Sequence, residues 1–358
     1  ESAELWQSLL RKQGVEASIV DFPERDGMQG GRIFYYNEKK NWWSRAGVPA
    51  NMPEGEPGGP DTEMFWDFDP ENRLALHEQS AWKSEPCHVN CDCGRFVEIG
   101  NNVFMEYQKT ANGFIKLAQQ NVDFGGGLER IEAAAIDNPD VFMIDLFASA
   151  RLTLERLSGR VYGAQSADTY AYRVILDHIR AAVFLIGDGI LPSNKDQGYF
   201  VRRLIRRAVR FGTTLGLTSD FIALVGQAFI DTYHEAYPTL LDKSVFITEE
   251  LSREEAKFRK TLEMGLKEWK KLAGAPLSGY DAFVLFSSYG FPIEITEELA
   301  KESGQTIDLE GFKTELAKHQ ALSRAGSEQK FKGGLADHSD MVVRYHTATH
   351  LLQQALRQ

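Results

Sequence analysis

Residues 95–130 read RFVEIGNNVFMEYQKTANGFIKLAQQNVDFGGGLER, and the class of the fold turns on them. Two runs rich in β-branched and aromatic residues, 95–109 and 114–124, are joined by a short turn-rich link with no helical period between them. Three glycines, Gly125 to Gly127, then precede a charged helix start at Leu128. Upstream, residues 17–22, 31–36 and 62–68 are runs of the same kind, divided by turn-rich stretches such as MPEGEPGGPD at 52–61. Five short strand-like runs without a long helix between them predict an antiparallel sheet rather than βαβ units. Residues 1–15 read as an amphipathic helix ended by Gly14. From Leu128 to about Ala325 the pattern turns almost wholly helical, broken at DNPD, SGRVYGAQSAD, GDGILPSN, GLTSD and APLSG. The fold class is therefore α+β, an antiparallel sheet followed by an all-helical region, with a boundary near 135–150. A charged, glycine-bearing link at 324–340 precedes a last helical stretch.

The chain of 358 residues is 43% hydrophobic and 25% charged, the balance of a soluble globular protein of about two or three domains. No apolar run reaches the roughly 18 residues of a membrane span, and no charged-then-apolar leader opens the chain. Cys87, Cys91 and Cys93 crowd into one short stretch, where they cannot staple a fold of this size. That usage points to a reducing compartment, the cytoplasm. A net charge of −11 opposes indiscriminate coating of nucleic acid. The first residue is Glu1 rather than Met and the last segment stops inside an apolar-periodic helix, so a piece of a longer protein is expected.

Several constellations can carry chemistry. The glycines at 125–127 suit a nucleotide phosphate, a plain turn or another packed backbone. They lack the Lys-Ser or Lys-Thr of a P-loop and the spaced glycines of a dinucleotide fold. Arg130, in the first turn of the following helix, opposes the helix dipole unless an anion is shared with that terminus. Asn101 and Asn102 interrupt an apolar strand, so they either meet a polar ligand or mark a bulge at Gly100. Trp42 and Trp43 cap a pocket or pack in the core. Residues 198–212, GYFVRRLIRRAVRFG, set Val201, Leu204, Ile205 and Ala208 on one helical face and Arg203, Arg206, Arg207 and Arg210 on the other, beside Arg202. Like charges at that spacing repel, and either a phosphate backbone or the protein's own carboxylates relieve them. HTATH at 346–350 sets His346 and His350 one helical turn apart, half of a zinc site. PCHVNCDCG at 86–94 gathers Cys87, His88, Cys91 and Cys93 as a small zinc or iron clip, or as free thiols.

Taken in order, NNVFMEYQK (101–109), VDFGGGLERI (122–131), the long block 173–212, YGFPIEIT (289–296) and HTATHLL (346–352) resemble the alanyl-tRNA synthetases, class II enzymes, over nearly the whole chain. The resemblance implies a class II aminoacylation core on an antiparallel sheet, a helical domain for the tRNA acceptor stem, and an editing domain opened by the His-x-x-x-His helix. In those terms residues 1–140 are the C-terminal part of the catalytic domain, 141–325 the acceptor-stem domain, and 326–358 a linker with the first helix of a truncated editing domain. The implied activity is alanine-tRNA ligation with ATP and Mg²⁺, and Zn²⁺ at the editing half site. The partners are alanine, ATP and tRNA(Ala), with no membrane.

The resemblance also implies roles. Arg130 contacts the ATP phosphates, with Gly125 and Gly127 at the family's motif 3 glycine positions. Asp123 pairs with the ammonium of alanine, and Asn101, Val103 and Trp43 line the small amino-acid pocket. Asn194 reads the G:U wobble pair while Arg202, Arg203, Arg206, Arg207 and Arg210 hold the backbone. Motifs 1 and 2 are absent from this sequence, Ser287 replaces a usual acidic residue, and only a few residues stand where the family often inserts a β-barrel. The chain alone is therefore expected to be inactive. The competing readings are a non-catalytic tRNA-binding paralogue and part of an alanyl-tRNA editing hydrolase.

Overall fold

The computed structural model describes residues 2–218, 220–272 and 274–330, and scattered positions between 341 and 356. It divides into two compact units, Glu1–Arg151 and Leu152–Gln358.

The first unit carries the strands. Helix α1 (Ser2–Lys12) ends ahead of Gly14, whose φ of +77° reverses the chain. Strands β1 (Ile19–Val20) and β2 (Ile33–Phe34) follow, with the short helix α2 (Pro23–Asp26) between them. They pair in parallel as a separate two-stranded sheet. The expectation that all five runs share one antiparallel sheet is thus corrected. Parallel neighbours need a crossover, and α2 with its flanking turns provides it.

The main sheet has the order β3-β4-β5-β6, built from β3 (Trp42–Ser44), β4 (Pro57–Asp67), β5 (Phe96–Thr110) and β6 (Gly113–Gly126). All its pairings are antiparallel. Strand β3 was not read from the sequence, because three residues give no period to detect. The junction between β4 and β5 has a bulge: Met64 faces Gly100 and Phe65 faces Glu98, so Ile99 is left over. Gly127 then caps α3 (Leu128–Ala135), and α4 (Asp145–Ser158) leads out of the unit.

The second unit is helical among its described residues. It contains α5 (Ser166–Gly187), α6 (Asp196–Thr214), α7 (Ile222–Tyr233), α8 (Pro238–Asp242), α9 (Ser244–Leu272), α10 (Gly279–Tyr289), α11 (Ile293–Glu302) and α12 (Leu309–Lys330). The breaks read from glycine, proline and aspartate clusters fall between these helices. Its core is fully buried apolar surface: Ile175, Ile179, Val183 and Ile186 of α5 with Val201, Ile205 and Ala208 of α6, Val225 and Phe229 of α7, and Ile247, Leu251 and Phe258 of α9. Glu254 and Glu255 interrupt the apolar stripe of α9 at 2% and 1% exposure. Each is paired, which burial of a carboxylate demands. Glu255 bonds Arg259 at 2.7 Å and accepts the Ile222 amide at 3.1 Å, capping α7.

Candidate functional site

Register assembles the candidate site. On β5, Asn101 stands opposite Glu63 of β4 and Gly125 of β6, and Val103 stands opposite Asp61 and Asp123. Directly opposed residues of an antiparallel sheet share a face, and residues two apart on a strand do too. Glu63, Asn101 and Gly125 therefore form one row, and Asp61, Val103 and Asp123 the next. The bulge at Ile99 adds a seventh residue. Without it Glu98 points to the opposite face; with it Glu98 joins the Glu63 side and bonds Arg130 at 3.1 Å. A bulge and a polar site were alternatives in the sequence, and here the bulge builds the site.

The polar groups on this face are only partly satisfied. Asn101 donates to Asp61 at 2.9 Å, while its own buried carbonyl oxygen has no hydrogen-bond partner. A buried acceptor left open is costly, so it is suited to a donor arriving from outside. Burial, with repulsion from Asp61 and Glu98, pushes the Glu63 carboxyl up to about 7. Burial likewise raises Asp61, opposed by hydrogen bonds from Asn101 and Asn41. A cleft of about 970 Å³ reaches the face at Asp61 and Glu63 and is also lined by Trp6, Met28 and Tyr36.

The three glycines do different things. None has a positive φ, so conformation does not require them. A Cβ on Gly127 meets the Arg130 guanidinium at 2.5 Å, so glycine there lets that side chain fold back across the helix start. A Cβ on Gly126 presses on Phe124 and Ile131 at 3.1–3.3 Å. A Cβ on Gly125 meets nothing within 4 Å. Gly125 faces open space beside exposed Asp123, whose carboxylate accepts only the Phe124 amide at 2.9 Å among the described hydrogen bonds.

The tryptophans separate. Trp42 packs against Tyr107 and Phe114 at ring distances of 6.0 and 5.4 Å, whereas Trp43, opposite Gly59, stays 41% exposed. Among the described residues only the first packs against other rings, and it does so half-buried rather than in the core.

In the helical unit the arginine stripe is satisfied internally. Arg203 bonds Glu294 at 2.7 Å, Arg207 bonds Glu298, and Arg210 bonds Glu302 at 2.6 Å, so α6 and α11 are laced at helical spacing. Arg206 reaches Glu254 at 2.7 Å and the Gly290 carbonyl at 2.6 Å, and Arg202 lies 3.5 Å from the same Glu254. Arg207 also donates to His178 at 2.7 Å. The repulsion expected among Arg203, Arg206, Arg207 and Arg210 is therefore relieved within the protein. The carboxylate alternative accounts for them. Those carboxylates lie 48 to 92 positions away, beyond the reach of any local pattern. Asn194 is exposed in the turn before α6 and accepts from Arg202. Ser287 is exposed on α10. His346 and His350 lie outside the described residues.

The cysteine stretch closes up around a residue the sequence reading missed. His77, Cys91 and Cys93 are buried, with their ligand atoms within 4.8 Å of one another. Cys87 lies outside that trio but interacts electrostatically with Cys93. Burial and the neighbouring thiols push the Cys87 thiol up to about 12, and burial raises Cys91. His88, grouped with the cysteines from its position, instead meets Tyr36 Oη through Nδ1 at 2.8 Å. No helix among the described residues is long and apolar enough to cross a membrane.

Comparison with known proteins agrees with this arrangement. Residues 3–356 match the family described as tRNA synthetases class II (A). The chain is 41% identical over 348 residues to the alanine-tRNA ligase of Treponema pallidum (strain Nichols), covering 93% of this chain and 54% of that protein. It is 42% identical over 371 residues to that of Treponema denticola and 39% over 364 residues to that of Borreliella afzelii (strain PKo), covering 100% of this chain and 56% of each. The chain thus spans a little over half the length of these curated relatives. An antiparallel sheet that aligns a polar pocket beside a glycine-led helix, matched almost end to end by one family model, means that the chain belongs to the class II tRNA synthetases.

Proposed function

We propose that the first unit serves alanine-tRNA ligation: ATP-dependent formation of alanyl-adenylate, then transfer of alanine to the 3′ end of tRNA(Ala). The observation that carries this reading is the pair of cross-strand rows, which sets Asp123, Asn101 and Val103 on one face beside the open space over Gly125. Asp123 pairs with the substrate ammonium, the free carbonyl of Asn101 accepts a second hydrogen bond from it, and Val103 and Trp43 leave room for a methyl group. The alanine carboxylate oxygen attacks the α-phosphorus of ATP; the bond to the β-phosphate breaks and pyrophosphate leaves. Arg130, released from Glu98, meets the charge that develops on the phosphates over Gly125 and Gly127. Glu63 and Glu98 are the hard oxygen donors on this face suited to Mg²⁺ carried by ATP, which would neutralise phosphate charge. The terminal ribose hydroxyl of the tRNA then attacks the alanyl carbonyl and AMP leaves.

The helical unit is proposed as the acceptor-stem domain. Asn194 is its base-reading residue, and the paired arginines are the frame that holds the helices behind it. The region from 326 onward is proposed as linker and the start of an editing domain, with His346 and His350 as two of the ligands of a Zn²⁺ site that needs further ligands to hold the metal. A cytoplasmic location accords with this role.

The test is calorimetric titration of the chain with a non-hydrolysable alanyl-adenylate analogue. Saturable binding, weakened at least tenfold by Asp123→Ala and by Asn101→Ala, is expected. Absence of binding, or binding that ignores both substitutions, would refute the reading.

A further inference from the structure

We infer that residues 77–93 form a structural zinc site with Nδ1 of His77 and the thiolates of Cys87, Cys91 and Cys93 as its four ligands. The inference is independent of the aminoacylation reading. It starts from the connector between β4 and β5. Residues 68–95 contain no helix or strand, although connections longer than about 15 residues without structure of their own are uncommon in compact domains. Something other than backbone ladders must order them. At the base of the loop Arg95 forms a two-pronged pair with Asp67 at 2.9 and 2.8 Å, and Asp69 accepts the amides of Leu74 and Leu76. Beside that base stands the buried cluster.

The tautomer of His77 is fixed in the sense a metal needs. Its Nε2 lies 3.0 Å from the Glu85 carbonyl, which can only accept, so Nε2 carries the proton and Nδ1 keeps its lone pair. That arrangement, a ring N–H held by a backbone carbonyl while the other nitrogen faces the site, is the usual support of a metal-bound histidine. Nδ1 sits 3.7 Å from Cys91 Sγ. In a tetrahedral zinc site with metal–sulfur bonds of about 2.3 Å and metal–nitrogen bonds of about 2.0–2.1 Å, that edge is about 3.6 Å.

The sulfur side is equally prepared. Cys91 and Cys93 are both buried with one residue between them, so the chain presents two sulfurs side by side. Gly94, with φ of +86°, turns the chain away immediately afterwards. Cys87, six positions before Cys93 and acting on it electrostatically, is the remaining thiol and supplies the fourth ligand of a three-sulfur, one-nitrogen set. Such a donor set selects zinc among the divalent ions abundant in cells. Loading forms three Zn–S bonds and one Zn–N bond and releases the three thiol protons to solvent. The resulting net charge of −1 lies near the Arg95 guanidinium, which acts on Cys87. Because all four ligands are protein groups, the site is closed and serves structure rather than catalysis.

Elemental analysis of the full 358-residue chain, purified under reducing conditions without chelator, tests this. One zinc per chain is expected, retained in a His346→Ala/His350→Ala variant and lost in Cys91→Ser/Cys93→Ser. Absence of stoichiometric zinc from the wild type, zinc lost with the histidine pair, or zinc kept by the cysteine variant would each overturn the assignment. Should the cysteine variant fail to fold, two wild-type measurements decide. Titration with a mercurial should release the zinc in step with three thiols, and thiols that titrate without zinc release contradict the site. Cobalt(II) exchanged for zinc should show thiolate charge-transfer absorption that falls by about one third in Cys87→Ser; unchanged absorption excludes Cys87 as a ligand and overturns the set proposed.

Discussion

Arg203 and Arg206 are three positions apart on α6 and pair with carboxylates at the same 2.7 Å, yet they should differ sharply on mutation. The Arg203–Glu294 pair is about one-third exposed on both sides, whereas Glu254 beneath Arg206 is 2% exposed. Removing one partner of a buried pair leaves an uncompensated charge and costs about 3–5 kcal/mol; a pair open to solvent contributes about 1 kcal/mol or less. Urea denaturation of Arg206→Ala and Arg203→Ala should show that contrast. Equal losses would mean that Arg202 alone neutralises Glu254. Glu63 offers a second residue-level expectation. Its folded pKa of about 7 lies above the unfolded value near 4.3, so between those values the folded state holds a proton that the unfolded state has released. Stability should therefore fall as pH rises from about 4.5 to 7. Glu63→Gln should flatten that slope and raise Tm at pH 8 while changing little at pH 4, as read by thermal melts across the range.

At the scale of elements, the junction of β6 and α3 makes the most specific claim. Since a methyl on Gly125 touches nothing in the protein, Gly125→Ala should melt at or slightly above the parent temperature. Binding of the adenylate analogue should nonetheless fall by tenfold or more, because that methyl fills the proposed ligand space. Loss of both together would make Gly125 a folding residue instead. Much of this junction was legible in the sequence. Strand periodicity gave β5 and β6, the glycine run gave the helix start, and five ordered blocks gave the family. What stayed hidden depended on register and distance. Asp61 and Glu63 join the site through cross-strand pairing, Glu98 through one extra residue in a bulge, and His77 through a loop fold that no spacing rule encodes. The arginine stripe was visible, but its partners were not, and the visible half alone suggested nucleic acid.

For the molecule as a whole, each compact unit has its own stabilising centre: the sheet and its cysteine-bearing connector in one, the four-helix core and its ion pairs in the other. Thermal unfolding should therefore resolve into two steps. Arg206→Ala should lower the helical step alone, and chelation by EDTA the sheet step alone, as followed by far-ultraviolet circular dichroism with tryptophan fluorescence. A single transition shifted by both treatments would mean that the units unfold as one. The lacing of α6 to α11 also constrains how such a chain can diverge. Its three rungs join positions 91 or 92 apart, and losing either end of a rung leaves the other without its partner. Substitutions on the two helices are thus expected to be inherited in compensating pairs, so that the history of one helix is written in the other.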